Sequence, residues 1–585
     1  MAVSIRKAAV IGAGTMGSGI AALLAGVGIE TLLLDIPARD TEPGDAPLKR
    51  NAFVHEGLKR LQNARPPQLL SVSDLDLIRA GNIEDDFDRL AGVDWVIEVV
   101  VENLDVKRDL MAKLAQVVSP RTILSTNTSG LPIRAIAEGM GDDFTRRFLG
   151  THFFNPPRYL RLLEVIPHPD TDPEIVATVV RFATERLGKG VVLAKDEPNF
   201  IGNRFMSITL SQLVNYALDH GFTVDEVDAL TGPLIGRPRT ATFRLHDLIG
   251  IDIAIHVARN LYPAIPDDPA RHVLRHPKAD ALYDRLLQNK WLGSKTGQGF
   301  YEQVRGADGA REFWSLDLET LDYQPPSQPR FHSVNIHRKV EDTGQRIRLL
   351  LDEDDRAARL LWHHLAFYLA YASHRVPEIA DTIVNVDNAQ KWGFGHELGP
   401  FEIWDALGVA ATIPRFEEAG YPVAEWVRQM VASGHATFYR RDEHGQTTGY
   451  YSPQHSSYVS PEEDSRAITA EMLRAQTMTG ATSPATVTES ERRASAGEVA
   501  RNAGASVLDM GDGVALLEFH SAQNSIDADV LEMTWKAFDL LQHDFDALVI
   551  GNDGERFSVG ANLFMVLMTA QAGQYDDWNA RVKSS

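Results

Sequence analysis

The feature that most constrains this chain is Gly12-Ala13-Gly14-Thr15-Met16-Gly17, set between an apolar run from Lys7 to Ala13 and a stretch that reads as an amphipathic helix. A glycine-rich turn alone is common, so its flanks carry the argument. The first glycine permits a tight turn, the second lets backbone approach a pyrophosphate, and the third lets the helix pack close to the strand. Phosphates would then sit on the helix N-terminus, where unpaired N–H groups and the dipole favour negative charge. A second apolar strand, Glu30 to Asp35, ends in an acid 23 residues after Gly12. A carboxylate there accepts hydrogen bonds from both ribose hydroxyls of an adenosine and repels a 2′-phosphate, which favours NAD over NADP. The alternation continues with a strand over 94–101, a helix over 105–118 and a strand over 122–126, predicting a doubly wound α/β sheet within residues 1–195. Ligands of such sheets lie across the carboxyl ends of the strands, where Glu98, Glu102, Lys107, Asn127 and Ser129 fall. For Glu102 and Lys107 a solvated helix start is an equal reading.

A second motif concerns chemistry. Thr151-His152-Phe153-Phe154-Asn155-Pro156-Pro157 is followed, twelve residues after the histidine, by Glu164 in Leu162-Leu163-Glu164-Val165-Ile166. Two short apolar runs joined by a proline-bent connection can fold back on each other. The carboxylate then reaches a ring nitrogen of the histidine, fixes its tautomer and keeps it basic. With 19 histidines in the chain, a structural histidine is the competing reading, and the surroundings decide.

At 585 residues the chain needs several cores. The formal charge of −22 disfavours nucleic acid as a partner, and an anionic ligand would need a local cluster of Lys or Arg. The absence of cysteine removes disulfides, thiolate metal sites and a cysteine nucleophile, and no metal site is expected. The opening Met-Ala-Val-Ser-Ile-Arg-Lys lacks a signal-peptide core, and no apolar run approaches the roughly 18 residues of a membrane span, so a soluble cytoplasmic enzyme is expected.

With the nucleotide turn, Ser125-Thr126-Asn127-Thr128-Ser129-Gly130, the His-Phe-Phe-Asn-Pro box and Glu164 in order, residues 5 to 301 resemble the L-3-hydroxyacyl-CoA dehydrogenases of fatty-acid β-oxidation. Asp196-Glu197-Pro198-Asn199-Phe200-Ile201-Gly202-Asn203-Arg204 and Lys295-Thr296-Gly297-Gln298-Gly299-Phe300-Tyr301 extend the match. Where the family reads Pro-Gly-Phe, this chain has Asn199, a replacement expected to be tolerated. The resemblance implies a Rossmann-type NAD-binding domain over 1–195 and a helical substrate domain over 196–302. It implies His152 as proton acceptor, Glu164 as its orienter, and Ser129 and Asn203 as substrate contacts. It places Gly12, Gly14, Gly17, Asp35, Glu102, Lys107, Asn127 and Lys295 around the cofactor. The substrate would be an acyl-CoA, with Lys59, Arg60 and Arg65 as candidates for its phosphates, although a solvated helix face is the stronger reading for each singly. A homo-oligomer or a thiolase-type β-oxidation partner is compatible with the resemblance.

An internal repeat lies 158 residues on: Phe243-Arg244-Leu245-His246-Asp247-Leu248-Ile249-Gly250 returns as Phe401-Glu402-Ile403-Trp404-Asp405-Ala406-Leu407-Gly408. The second copy lacks the Asn-Arg element and, as read from sequence, the Lys-Thr-Gly-x-Gly-Phe-Tyr ending. After a connector over 303–345, residues 346–450 therefore read as a duplicated all-helical domain kept for packing. Residues 451–497 read as a linker or loosely held helices. Residues 498–585 read as a partial crotonase-like α/β segment, because Phe557-Ser558-Val559-Gly560-Ala561-Asn562 resembles the start of the enoyl-CoA hydratase fold. That family's second oxyanion donor and both acid/base glutamates lie further along than Ser585, so no hydratase activity is expected. Two other readings compete with a 3-hydroxyacyl-CoA dehydrogenase: a different hydroxy-acid dehydrogenase, or a nucleotide-binding scaffold without turnover.

Overall fold

The computed structural model describes residues 4–306, 309–442, 447–461, 497–552, 554 and 556–571. Two compact units divide the chain, 1–461 and 462–585. The first is built on a sheet of eight strands: β1 (Lys7–Ile11), β2 (Glu30–Asp35), β3 (Ile78–Asn82), β4 (Trp95–Glu98), β5 (Ile123–Thr126), β6 (Phe148–Phe153), β7 (Leu162–Pro167) and β8 (Gly190–Leu193). Their order is β3-β2-β1-β4-β5-β6-β7-β8. Helices cover both faces, which is why β4, β5 and β6 are buried along their whole length and read as continuous runs in place of an alternating pattern.

The β6–β7 pair is antiparallel, and the other neighbours run parallel. Asn155-Pro156-Pro157 ends β6, because proline cannot donate to a ladder, and the chain turns straight back. The resulting register sets His152 opposite Glu164.

The helix Gly202–His220 leads into a helical run that ends with Pro277–Gln288 and a three-stranded antiparallel sheet made of Tyr301–Arg305, Arg311–Leu316 and Tyr323–Gln324. A second run follows from Arg356–Arg375 to Glu425–Ala432, closed by a three-stranded sheet of Tyr439–Arg441, Thr447–Ser452 and Ser457–Val459. The two runs share one clasp. Asp247 accepts from the N–H groups of Phe300 (2.8 Å) and Tyr301 (2.9 Å), and the Tyr301 hydroxyl donates to Asp228 (2.9 Å). Asp405 accepts from Phe438 (2.6 Å) and Tyr439 (2.9 Å), and the Tyr439 hydroxyl donates to Asp387 (2.7 Å).

Two sequence expectations are corrected here. The second run keeps the Phe-Tyr ending: Phe438-Tyr439 takes its place without the flanking glycines, because the clasp needs two backbone N–H groups and a phenol and makes no demand on the loop before them. Residues 452–459, expected as linker, form the last hairpin of that sheet. The remainder of the linker reading, 462–496, lies outside the described residues.

Among the described residues the second unit has four strands, Gly497–Arg501, Ala505–Asp509, Val514–Phe519 and Ala547–Gly551, with the helix Ala528–Leu541 started by the Asp527 side chain accepting from Val530 N–H at 3.0 Å. In the segment read as crotonase-like, Gly560 takes a positive φ of 87° and Ala561 bridges to Ile526. Phe557, Leu563 and Phe564 are exposed.

Candidate active site

The site starts from the nucleotide turn. Gly12 has φ of 110°, and a Cβ on it would collide with the Val99 carbonyl; one on Gly17 would collide with the Gly12 carbonyl. A Cβ on Gly14 would meet nothing within 4 Å, so that glycine leaves open the face a pyrophosphate needs. The helix Thr15–Gly26 has no side-chain cap, and its first internal bond runs from Ser18 N–H to the Gly14 carbonyl (3.0 Å). At the end of β2, Asp35 accepts from Ala13 N–H at 2.6 Å, which holds its carboxylate beside the turn. These features fit a dinucleotide.

One candidate moves. Arg60 donates to the Ala13 carbonyl (2.8 Å) and braces the turn from behind, so it is not free for a distant phosphate. Lys59 stays exposed, and Arg65, also exposed, reaches only the carbonyl of its neighbour Ala64.

At the carboxyl ends of β4 and β5, Lys107 is sealed between carboxylates. Its Nζ donates to Glu98 at 2.7 Å and lies 3.4 Å from Glu102. Both alternatives read from sequence had Lys107 facing solvent or ligand; at 1 % exposure it is instead an internal strut. Buried Glu98 also takes the Thr126 hydroxyl (2.5 Å), while Glu102 accepts from the Thr128 hydroxyl (2.6 Å) and Ser129 N–H (2.9 Å). The network therefore fixes the turn that carries Ser129. Asn127 accepts from Phe153 N–H at 2.9 Å, tying that turn to the strand of His152.

His152 Nδ1 lies 2.7 Å from Glu164 Oε2. Glu164 is fully buried, and its other oxygen accepts from Ile201 N–H (3.0 Å) and Gly202 N–H (2.7 Å) at the start of the helix Gly202–His220. Those two N–H groups at the helix start hold the carboxylate stationary. With Nδ1 committed as donor to Glu164, Nε2 is left as the acceptor, and among the described residues it has no hydrogen-bond partner.

Sequence reasoning missed Lys189 and named Asn199 only as a tolerated replacement. Lys189 donates to the carbonyls of Leu160 (2.7 Å) and Pro157, pinning the connection between His152 and Glu164; burial pushes its amine down to about 8. Nothing in the sequence marks it. Asn199 has φ of 64°, a conformation asparagine tolerates better than other non-glycine residues, and its buried Nδ2 has no partner. The replaced glycine was the available signal for it.

Ser129, Asn127, Glu102 and Gly14 on the sheet side, with Asn199 and Asn203 on the helical side, line one cleft of about 620 Å³. His152 does not line that cleft and is 4 % exposed. Lys295 is not brought there either: it pairs with Asp252 (2.5 Å) on the exposed face of the helical run.

A nucleotide turn ending in an acid, beside a carboxylate-backed histidine and under a helical domain, defines an NAD-dependent dehydrogenase. Comparison with known proteins gives the family. Residues 7–197 match the 3-hydroxyacyl-CoA dehydrogenase NAD-binding domain and residues 200–303 the 3-hydroxyacyl-CoA dehydrogenase C-terminal domain, and the chain belongs to that family. A probable 3-hydroxyacyl-CoA dehydrogenase of Bacillus subtilis (strain 168) is 41% identical over 575 residues, 97% of this chain and 69% of the relative. Another, from Deinococcus radiodurans, is 44% identical over 301 residues, 52% of this chain and 84% of the relative. A putative fatty acid oxidation complex trifunctional enzyme of Rickettsia felis is 33% identical over 399 residues, 68% of this chain and 53% of the relative. The crystal structure of 3-hydroxybutyryl-CoA dehydrogenase from Escherichia coli K12 superposes with a TM-score of 0.54 at 24% identity, covering 74% of this chain and 100% of that one, a likeness of fold. Among the described residues no helix is long and apolar enough to cross a membrane.

Proposed function

We propose that this chain oxidises L-3-hydroxyacyl-CoA to 3-oxoacyl-CoA in fatty-acid β-oxidation. The observation that carries the proposal is the His152–Glu164 pair, its carboxylate shared between the imidazole and a helix start. His152 Nε2 accepts the proton of the 3-hydroxyl as C3 gives up its hydride. Glu164 keeps the acceptor tautomer and stabilises the imidazolium, a general-base contribution of about 10²–10⁴ in rate. Bound NAD would supply the hydride acceptor for C3. Gly14 and the first turn of the helix Thr15–Gly26 would receive its phosphates, and Asp35 its adenosine ribose. Ser129 and Asn203 hold the substrate from opposite sides, so that C3 stays in line for transfer. Glu102 and Lys107 act on the cofactor side by fixing the turn that carries Ser129, and Lys295 would join only by leaving Asp252.

We divide the chain accordingly: 1–195 for NAD, 196–302 for substrate, 303–345 as connector, a helical repeat from 346 carried on to 459, and a separate crotonase-like segment from 498.

The test is NADH formation from L-3-hydroxyacyl-CoA by the wild type and by His152→Gln, with NAD binding measured separately. Wild-type turnover and a variant slower by about 10²–10⁴ at equal NAD affinity are expected. Equal rates would remove His152 from the mechanism. NAD binding without turnover in either would favour a scaffold.

A further inference from the structure

Arg375 ends the helix Arg356–Arg375 where the two helical runs meet, and it is 4 % exposed. Among the described residues its hydrogen bonds run from Nη1 alone, to Asp268 (2.8 Å) and Glu378 (2.8 Å). Nε is buried without a partner, so the side of the guanidinium formed by Nε and Nη2 has its donors unmade. The group is held in place: its carbon lies over the Tyr371 ring, 4.8 Å from the centroid, and the Tyr371 hydroxyl donates to the same Asp268 at 3.1 Å. Turning to find another partner would cost these contacts.

Arg375 and Asp268 line a cavity of about 370 Å³ between the runs, which shares no lining residue with the catalytic cleft. Its walls are apolar: Val273 from the first run, and Phe367, Ala370, Tyr371 and Tyr421 from the second. The Phe367 ring lies nearly parallel to that of Tyr371 and meets that of Tyr421 edge-on, each at 6.0 Å, which fixes the shape of the wall. Two histidines at the mouth are occupied, His272 with the Pro269 carbonyl (2.6 Å) and His374 with the Pro422 carbonyl (3.0 Å). Apolar walls with a few converging polar groups are the usual form of a small-molecule site.

Charge decides which ligand fits. Arg375 and Arg204 each donate to both Asp268 and Glu378, so two guanidinium groups are matched by two carboxylates and no positive charge is left over for an anion. A further carboxylate or phosphate would also lie against Asp268. What remains is a set of N–H donors away from water, costly while unmade, which an uncharged oxygen acceptor satisfies. We propose that this cavity binds an uncharged carbonyl compound with an apolar body, its oxygen accepting from the Nε–Nη2 side of Arg375 and its body lying along Phe367 and Tyr421. The proposal does not depend on the dehydrogenase reading.

Octanamide and its charged counterpart octanoate are the probes, titrated calorimetrically into the full chain in neutral buffer of matched ionic strength. Wild type binds octanamide, and octanoate more weakly by about tenfold or more. Arg375→Lys keeps a positive charge for Asp268 and Glu378 but lacks the second donor side, and its octanamide affinity falls about tenfold. Should Arg375→Lys fail to fold, Ala270→Trp fills the cavity from its half-buried edge without removing an ion pair, and abolishes octanamide binding. Octanoyl-CoA distinguishes the source: displacement of octanamide from wild type assigns the site to an acyl thioester, and binding beside it assigns a free amide or ester. No octanamide binding by wild type, octanoate binding as tight as octanamide, or an octanamide affinity unchanged in either folded variant overturns the proposal.

Discussion

The two helical runs carry the same clasp and differ in how they begin. The first opens with Gly202–His220, whose own N-cap, Ile201, gives no side chain; its N–H groups are capped by Glu164, 37 and 38 residues away and shared with His152. The second opens with Arg356–Arg375, capped locally by Asp355, which accepts from Ala358 N–H at 2.9 Å. A helix started by its own neighbour can be placed anywhere. One started by a carboxylate on the sheet is wired to whatever that carboxylate serves. The second run instead supplies a wall for the first: Tyr368 and Tyr371 meet Phe205 edge-on, and Arg204 donates to the Tyr371 hydroxyl at 2.9 Å. A duplicated architecture thus has one copy joined to the sheet's chemistry and one that packs on it.

The largest effect on this contrast is expected at the seam. Asp268 is buried between Arg204 (2.9 Å) and Arg375 (2.8 Å), one from each run. Asp268→Ala leaves two guanidinium groups with Glu378 as their one shared carboxylate, and a loss of about 3–5 kcal/mol is expected in denaturant unfolding. A loss within 1 kcal/mol would mean the runs do not depend on this bridge.

Next come the clasps. Asp247→Asn and Asp405→Asn each set an amide NH₂ against a backbone N–H, at about 1–3 kcal/mol apiece. Similar losses would support equivalent roles, while Asp405→Asn leaves turnover per folded molecule unchanged.

The smallest effect is the pH dependence of that difference. Burial pushes the carboxyl of Asp405 up to about 7 and that of Asp247 up to about 6. The folded chain holds these protons more tightly than the unfolded chain, so the stabilisation is full below the ordinary carboxylate value of 3.8 and is lost as pH rises through those values. The wild-type advantage over Asp247→Asn should therefore narrow around pH 6, and that over Asp405→Asn around pH 7. Melting temperatures from pH 4 to 8 read both, and a gap that widened with pH would contradict the assignment.

Local patterns made the sheet and the His152–Glu164 register legible, because a strand, a proline-bent reversal and a second strand twelve residues on leave little freedom. Asp35 and the glycines were legible for the same reason. What escaped was set by distant partners. Lys107 is buried because Glu98 and Glu102 converge on it from two directions, and Arg60 turns to the Ala13 carbonyl across 47 residues. The Phe438-Tyr439 half of the clasp was hidden because its glycines are gone while its hydrogen bonds to Asp405 remain. Asn199 was visible as a departure, but its unpartnered amide is a property of the folded cleft.

The central claim is that Glu164 joins a helix start to a proton acceptor. The direct measurement is kcat/KM of Glu164→Gln for L-3-hydroxyacyl-CoA. The glutamine oxygen can still accept from Ile201 and Gly202, while its NH₂ faces His152 Nδ1 and forces the proton onto Nε2. The account predicts a loss on the order of 10²–10⁴ with the melting temperature nearly unchanged. Wild-type kcat/KM in a folded Glu164→Gln enzyme would contradict it.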